Sequence, residues 1–110
     1  MADLATYVTD IKKYTSSVDE AAVAGVIKHL GIALRNRDSS LVAGKDPAEL
    51  ARVRDSFLKK KLGMTDPDTK LDAAIAAVME KLKANNSKSR VTVYYLLAEH
   101  FKKLALFVKY

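Results

Sequence analysis

The sequence predicts an all-α fold, a compact single-domain bundle of five to six helices with a long C-terminal helix. Apolar residues recur at spacings of three and four along almost the whole chain, which is the period of an amphipathic helix. The chain has 110 residues, which is enough for one hydrophobic core but not for two. Hydrophobic residues make up 49% and charged residues 29% of it, a globular balance. We therefore expect residues 1–110 to form one helical domain.

Two helices are predicted before residue 31. The first is expected to end near Thr15-Ser16-Ser17, and its apolar stripe consists of Leu4, Tyr7, Val8, Ile11 and Tyr14. The second begins at a capping box, in which the Ser17 hydroxyl accepts from the Glu20 backbone N–H and the Glu20 carboxylate reaches back. Its apolar face consists of Val23, Val26, Ile27 and Leu30. Gly31 is expected to end it, because glycine adopts the left-handed conformation at little cost.

The middle of the chain has one ambiguous and two well-marked elements. Ile32-Ala33-Leu34 either starts a short third helix or leads directly into the polar connection that follows. Asp46-Pro47 and Asp66-Pro67 each place a good N-cap residue before a proline at the first helical position. The first of these helices is expected to bury Leu50, Val53, Phe57 and Leu58 and to end at Gly63. The second is expected to bury Leu71, Ile75, Val78, Met79 and Leu82.

The last helix is predicted to start between Ser89 and Thr92 and to run nearly to Tyr110. Its main stripe consists of Val93, Leu97, Phe101, Leu104 and Val108. Tyr95 and Leu106 lie on its opposite side, so a second contact is expected there. That contact is either with another helix of this chain or with a second copy, which makes the helix either central to the bundle or part of a dimer interface.

The charge is uneven. The net charge is +6, with 8 basic and 8 acidic residues in 1–55 but 11 basic and 5 acidic residues in 56–110. A basic half attracts polyanions such as nucleic acid, although a net charge of about 2–8 is also ordinary for a soluble domain. The candidate polyanion contacts are Lys59, Lys60, Lys61, Lys88 and Arg90.

Several chemistries are disfavoured by the composition. The chain has no Cys, which excludes disulfides, thiol catalysis and cysteine-ligated metals, and it has two His. Asp66, Asp68 and Asp72 do not form a calcium loop, because the required glycine and glutamate are missing. The same aspartates would repel phosphates at the start of a DNA-recognition helix. The sequence therefore predicts no enzyme activity and no cofactor.

The two histidines are interpreted as structural. His100 lies among apolar residues of the last helix, so we expect it to be buried at the edge of the core. His29 is near the C-terminus of the second helix, where the dipole would raise the pKa of its side chain slightly. Whether the two histidines meet in the fold to bind a metal depends on distances that a sequence does not give.

Four segments carry a family resemblance. They are residues 14–23 together with 28–35, Asp46-Pro47-Ala48-Glu49-Leu50-Ala51-Arg52-Val53-Arg54, Lys60-Lys61-Leu62-Gly63 and the distinctive Ser89-Arg90-Val91-Thr92-Val93-Tyr94-Tyr95-Leu96-Leu97-Ala98-Glu99-His100-Phe101. Together they resemble domain-of-unknown-function family 2853 over nearly the entire chain. The resemblance implies a bacterial, compact, all-helical domain and brings no activity, cofactor or catalytic residue with it.

The function predicted from the sequence is a non-enzymatic protein-interaction module. Its expected partner is another protein or a second copy of the chain, and its candidate interaction surface contains Tyr95 and Leu106. The alternative is nucleic-acid or other polyanion binding through the basic C-terminal half. No apolar run approaches the roughly 20 residues that cross a bilayer, and the start of the chain lacks a secretory signal. We therefore expect a cytoplasmic protein without a membrane partner.

Overall fold

The computed structural model describes residues 4–15, 18–30, 42, 46–82, 89–104 and 107. Every regular element within these residues is helical, which confirms the all-α prediction. The elements are α1 (Leu4–Ile11), α2 (Glu20–Leu30), α3 (Pro47–Arg52), a π-helical segment (Val53–Lys61), α4 (Asp68–Lys81) and α5 (Arg90–His100). The ambiguous stretch at Ile32-Ala33-Leu34 and the predicted helix stop at Gly31 lie outside the described residues.

The starts of α2 and α3 follow from their capping residues. α2 begins at Glu20, and the Asp19 carboxylate accepts from the backbone N–H of Ala22 at 3.2 Å. Asp19 therefore caps α2, whereas the predicted cap, Ser17, lies outside the described residues. At α3 the Asp46 carboxylate accepts from the backbone N–H of Ala48 at 3.0 Å, which confirms the predicted cap.

The predicted cap of α4 is wrong. Pro67 has an extended ψ of 149° and is itself the N-cap residue, so the helix begins at Asp68 rather than at the proline. Asp66 consequently lies too far from the first turn to cap it. Its carboxylate instead pairs with Lys70 at 3.3 Å.

The second half of the predicted Asp46–Gly63 helix is a π-helix. The backbone N–H of Leu62 donates to the carbonyl of Phe57 at 2.9 Å, an i→i−5 bond. At about 100° per residue, an α-helix would put Leu62 about 180° away from Val53. The wider turn keeps Val53, Phe57, Leu58 and Leu62 on one side, and all four are at most 3% exposed. The segment ends at Gly63, which has a φ of 67°.

α5 forms the centre of the fold. It packs against α1, α2 and α4, and each of the consecutive residues 91–98 is buried. A helix that is buried on all sides needs neighbours on all sides, and here this chain supplies them. Of the two predicted positions for the last helix, the structure therefore places α5 at the centre of the bundle.

The prediction that the last helix continues nearly to Tyr110 is wrong. α5 ends at His100, and the backbone N–H groups of Lys102 and Lys103 donate to carbonyls of the last turn at 3.0 and 2.7 Å. These two bonds form a Schellman motif, which requires a left-handed residue just beyond the helix. Lys102 provides it, with a φ of 59°. The chain therefore reverses direction at a lysine instead of the usual glycine.

After this reversal, Phe107 packs between α2 and the π-helical segment. Its side chain is 1% exposed, and its ring stacks on that of Phe57 with centroids 6.0 Å apart. The Lys61 ammonium lies over the same ring at 5.5 Å, and the His29 ring meets it edge-on at 6.2 Å. The backbone of Phe107 lies so close to Gly25 that a Cβ there would be 2.2 Å from the Phe107 carbonyl oxygen. We call this position, formed by Gly25, His29, Phe57 and Lys61, the Phe107 site.

Replacing Lys102 by glycine is expected to raise the free energy of unfolding by about 1 kcal/mol. The left-handed conformation is unfavourable for a residue with a Cβ and is nearly free of cost for glycine. Chemical denaturation measures the change. Lys103→Gly removes the same charge one residue away, at a position without a positive φ, and should bring no gain. Equal effects of the two substitutions would contradict the prediction.

Candidate functional site

An open groove runs along α1 and ends at the start of α5. Its volume is about 510 Å³, and it is lined by Ala5, Thr6, Tyr7, Thr9, Asp10, Lys13 and Ser89. Thr6 and Thr9 are exposed, so ligands have access to the groove from solvent. We call it the α1 groove. It offers hydroxyl groups, one carboxylate and one ammonium group on an otherwise apolar surface.

Ser89 contributes a buried hydroxyl without a partner. It is the N-cap residue of α5, yet its side chain makes no capping hydrogen bond. Its Oγ is buried and has no hydrogen-bond partner among the described residues. A buried polar atom left unpaired costs about 1–3 kcal/mol. The Ser89 Oγ is therefore the atom of the α1 groove with the most to gain from a bound polar group.

Asp10 is anchored beside Ser89. Its Oδ2 accepts a short hydrogen bond from the hydroxyl of Thr92, a fully buried residue in the first turn of α5. Its Oδ1 lies 3.8 Å from the Lys13 ammonium, and its side chain is 20% exposed. A carboxylate at this position also interacts well with the positive end of the α5 dipole. Neither Asp10 nor Ser89 was predicted from the sequence, since both acquire their surroundings from the packing of α1 on α5.

Tyr95 lies in the interior, so its predicted exposure on an interaction surface is wrong. It is 0% exposed, and its hydroxyl accepts from the backbone N–H of Asp19 at 2.9 Å. Burial raises the pKa of Tyr95, so the phenol stays protonated at neutral pH. Of the two predicted contacts for Tyr95, the structure shows another part of this chain. Leu106, its predicted neighbour on that surface, lies outside the described residues.

Replacing Tyr95 by phenylalanine is expected to lower the free energy of unfolding by about 1 kcal/mol. The substitution keeps the ring and removes the acceptor for the Asp19 N–H at the start of α2. Thermal or chemical denaturation measures the loss, and amide exchange at Asp19 should accelerate. Tyr7→Phe is the control, because the Tyr7 hydroxyl makes no hydrogen bond to the described residues. A loss no larger than that of the control would count against the role of the bond.

Arg90 is not available to a polyanion, and its prediction as a contact is wrong. Its side chain is 13% exposed and makes a short ion pair with Glu49 of α3, which is 7% exposed as a residue. The Arg90 guanidinium also donates to the Tyr94 hydroxyl at 3.1 Å. The Tyr94 ring in turn stacks on Phe57, with centroids 4.0 Å apart. Arg90 therefore joins α3 to α5 in the interior.

Lys59 already has two aspartate partners. Its ammonium lies 2.5 Å from Asp68 and 3.6 Å from Asp55. The neighbouring Arg54 donates hydrogen bonds to Asp55 at 3.0 Å and to Asp72 at 3.2 Å. The hydrogen bond that it donates to Asp55 is the main cause that raises the pKa of Arg54. These pairs connect the π-helical segment to α4. The charge of Lys59, which was predicted to contact a polyanion, is therefore paired within the chain.

The remaining candidate cations lie at the end of the π-helical segment. Lys60 is exposed, and Lys61 is partly exposed with its ammonium over the Phe107 ring. Lys88 lies outside the described residues. Within the part of the chain that the structure describes, the predicted polyanion contacts therefore do not form one basic surface.

His100 is exposed, so the prediction of a buried histidine is wrong. Its ring meets that of Phe101 edge-on, with centroids 5.0 Å apart, at the point where α5 ends. His29 lies elsewhere, 6.2 Å from the ring centroids of both Phe57 and Phe107. Desolvation against these rings and the charge of Lys61 lower the pKa of His29. The expected rise from the α2 dipole is thus reversed, since burial and a like charge act more strongly here.

The free energy of unfolding is expected to decrease as the pH is lowered below about 6.5, the ordinary pKa of histidine. His29 has a lower pKa when folded, so the unfolded chain takes up a proton first as the pH decreases. Its stabilising contribution is complete above about 6.5 and is lost as the pH falls through the folded pKa. Denaturation midpoints of wild type and His29→Gln between about pH 7.5 and 5 measure it. The variant should show the shallower decline, and parallel curves would refute the assignment.

Two further properties are defined by the described residues. Across 4–15, 18–30, 42, 46–82, 89–104 and 107, no three His, Cys, Asp or Glu side chains cluster in a way that would hold a metal ion. Among the helices of the same ranges, none has the length and apolar character needed to span a membrane.

Fold and site together define an all-α protein with a central helix and an open groove beside that helix. The family described as "Protein of unknown function (DUF2853)" matches residues 6–105, and the chain belongs to this family. The match confirms the resemblance carried by the four sequence segments. A search of curated proteins finds no match to this chain.

Proposed function

We propose that this protein is a non-enzymatic protein-interaction module whose contact surface is the α1 groove. The observation that carries the proposal is the buried, unpaired hydroxyl of Ser89 in an open groove. A hydroxyl both donates and accepts, so either a backbone N–H or a backbone C=O of a bound protein segment satisfies it. Leu4, which is 36% exposed, adds an apolar contact on the same helix.

The groups in the groove favour binding over catalysis. A catalytic serine needs a base within hydrogen-bond reach, and the Ser89 hydroxyl has no such partner among the described residues. The Asp10 carboxylate already accepts from Thr92 and lies near Lys13. Asp10 and Ser89 thus serve best as fixed hydrogen-bonding positions for a peptide backbone.

Site-specific photo-crosslinking in the native host tests this proposal. A photoreactive residue replaces Thr9, an exposed position in the groove, or Ala77, an exposed position on α4, as the matched control. We expect one discrete crosslinked protein from position 9, none from position 77, and loss of the product when Thr6→Arg fills the groove. Circular dichroism confirms that the variants fold. The same products from both positions, or a product insensitive to Thr6→Arg, would overturn the proposal.

Polyanion binding is the second candidate function, and it rests on fewer groups. Lys60 is exposed beside Lys61, and the field of Lys61 contributes to the lowered pKa of His29. We expect Lys60→Glu to abolish any low-salt gel shift, whereas Lys59→Glu should leave most of it, since Lys59 already has aspartate partners. Wild-type protein that does not retard nucleic acid at low salt would eliminate this candidate.

A further inference from the structure

The turn at Lys102 conflicts with the sequence around it. Apolar residues continue at helical spacing beyond His100, at Phe101, Leu104 and Val108. The structure nevertheless ends α5 at His100 and places Lys102 at a φ of 59°, which residues with a Cβ rarely adopt. The local sequence therefore favours a straight helix, and a contact elsewhere must favour the turn.

That contact is the Phe107 site. Phe107 is 1% exposed, stacks on Phe57 and lies beneath the Lys61 ammonium, while its backbone fits against the bare Cα of Gly25. If α5 continued as a straight helix, the Phe107 side chain would lose this burial. A straight helix would also carry the remaining apolar stripe away from the body of its own chain into solvent.

The Phe107 site contains no residue from the segment that fills it. Gly25 and His29 come from α2, and Phe57 and Lys61 come from the π-helical segment. The same phenylalanine from a second copy therefore makes the same contacts as the chain's own residue does. Such an exchange needs one change, at the connection between the end of α5 and Phe107.

We propose that two copies of this chain form a dimer by exchanging their C-terminal segments. α5 continues through Lys102 as a helix in each copy, and each Phe107 fills the Phe107 site of the other copy. The exchange releases Lys102 from its left-handed backbone conformation. It also covers the apolar stripe at Phe101 and Leu104. It is independent of the α1 groove, which meets α5 at its start, the end opposite Lys102, and shares no residue with the Phe107 site.

Substitutions at Lys102 test the exchange without touching the site. Lys102→Ala and Lys102→Gly remove the same charge, but alanine favours the helix and glycine favours the turn. Sedimentation velocity should show a dimer whose dissociation constant is lower for Lys102→Ala than for Lys102→Gly by about tenfold or more. Equal constants, or monomers at every concentration for Lys102→Ala, would refute the proposal.

Complementation gives a second, independent test. Phe107→Ala leaves the site intact without its occupant, and Gly25→Leu blocks the site while keeping Phe107. Each variant alone should be monomeric, and the two refolded together should form a 1:1 heterodimer with one exchanged segment. Circular dichroism checks that both variants fold, and the Lys102 pair remains decisive if Gly25→Leu does not. A mixture of two folded variants that stays monomeric contradicts the exchange.

Thr6→Arg separates this dimer from association through the α1 groove. Thr6 lines the groove and is not part of the Phe107 site. The exchanged dimer should keep its dissociation constant in Thr6→Arg, even where the photo-crosslink from position 9 disappears. A dimer that Thr6→Arg abolishes and that does not respond to Lys102 would assign self-association to the groove instead.

Discussion

Replacing Glu49 by alanine is expected to lower the free energy of unfolding by about 3 kcal/mol. The substitution leaves the Arg90 guanidinium, which is 13% exposed, without its carboxylate partner. Arginine does not lose its proton in a protein, so its charge stays in the interior without the carboxylate of Glu49. Urea denaturation at neutral pH measures the loss.

Two further variants show whether the loss comes from breaking the ion pair between Arg90 and Glu49. Arg52 binds the same carboxylate at 3.3 Å, but its side chain is 74% exposed, so Arg52→Ala should change stability by less than about 0.5 kcal/mol. The double replacement Glu49→Leu with Arg90→Met removes both charges and should recover most of the stability. A cost for Glu49→Ala as small as that for Arg52→Ala would show that the buried pair does not matter.

Replacing Gly25 by alanine is expected to cost about 2 kcal/mol. A methyl group at Gly25 would lie 2.2 Å from the Phe107 carbonyl oxygen and 2.7 Å from its Cβ. The carbonyl oxygen is a backbone atom and the Cβ is attached directly to the backbone. A side-chain rotation therefore cannot remove the clash, so the segment has to move as a whole. Phe107 then leaves its site, and the cost is limited to what its docking contributes. Denaturation gives the size of the loss, and NMR shifts of the Phe57 ring report the departure.

The sign of this effect should reverse once Phe107 no longer docks. In a Phe107→Ala background, Gly25 is an ordinary glycine inside α2, where alanine is favoured by about 0.5–1 kcal/mol. Gly25→Ala is then expected to stabilise the protein. A double-mutant cycle measures the coupling. Additive costs would mean that Phe107 does not pack on Gly25.

The sequence predicted those elements whose signals are local. Asp46-Pro47 marks the start of α3, Val8 and Ile11 of the predicted α1 stripe are buried, and Gly63 ends the π-helical segment. The end of α5 was not predictable in this way, because Lys102 and the residues after it read as helix. The distant contact between Phe107 and Gly25 favours the turn, and helical periodicity does not report such a contact.

The apolar spacing of the π-helical segment differs from that of an α-helix. A search for the α-helical spacing of three and four therefore misses it. Val53, Phe57, Leu58 and Leu62 cannot share one side of an α-helix, yet all four are buried. Apolar intervals of four and five are the trace of the wider turn. This pattern is not detected when only α-helical and strand periods are considered.

The site residues were predicted less well than the helices. Tyr95 and Arg90 were expected at the surface and His100 in the core, and the structure places all three the other way. A helix wheel assumes one buried side, whereas α5 is covered on all sides by α1, α2 and α4. Arg90 is buried because Glu49 faces it from α3, 41 residues earlier. Family membership and the all-helical class were predictable, while the partners of individual polar side chains were not.

The position of α5 also bears on how the chain comes to be folded during its synthesis. The ribosome releases α1, α2 and α4 first, and the side of each that packs against α5 has nothing to cover it until residues 91–98 emerge. The earlier helices are therefore expected to remain protease-sensitive on the ribosome. Protection should arrive in one step, when the innermost helix leaves the exit tunnel, rather than build up helix by helix.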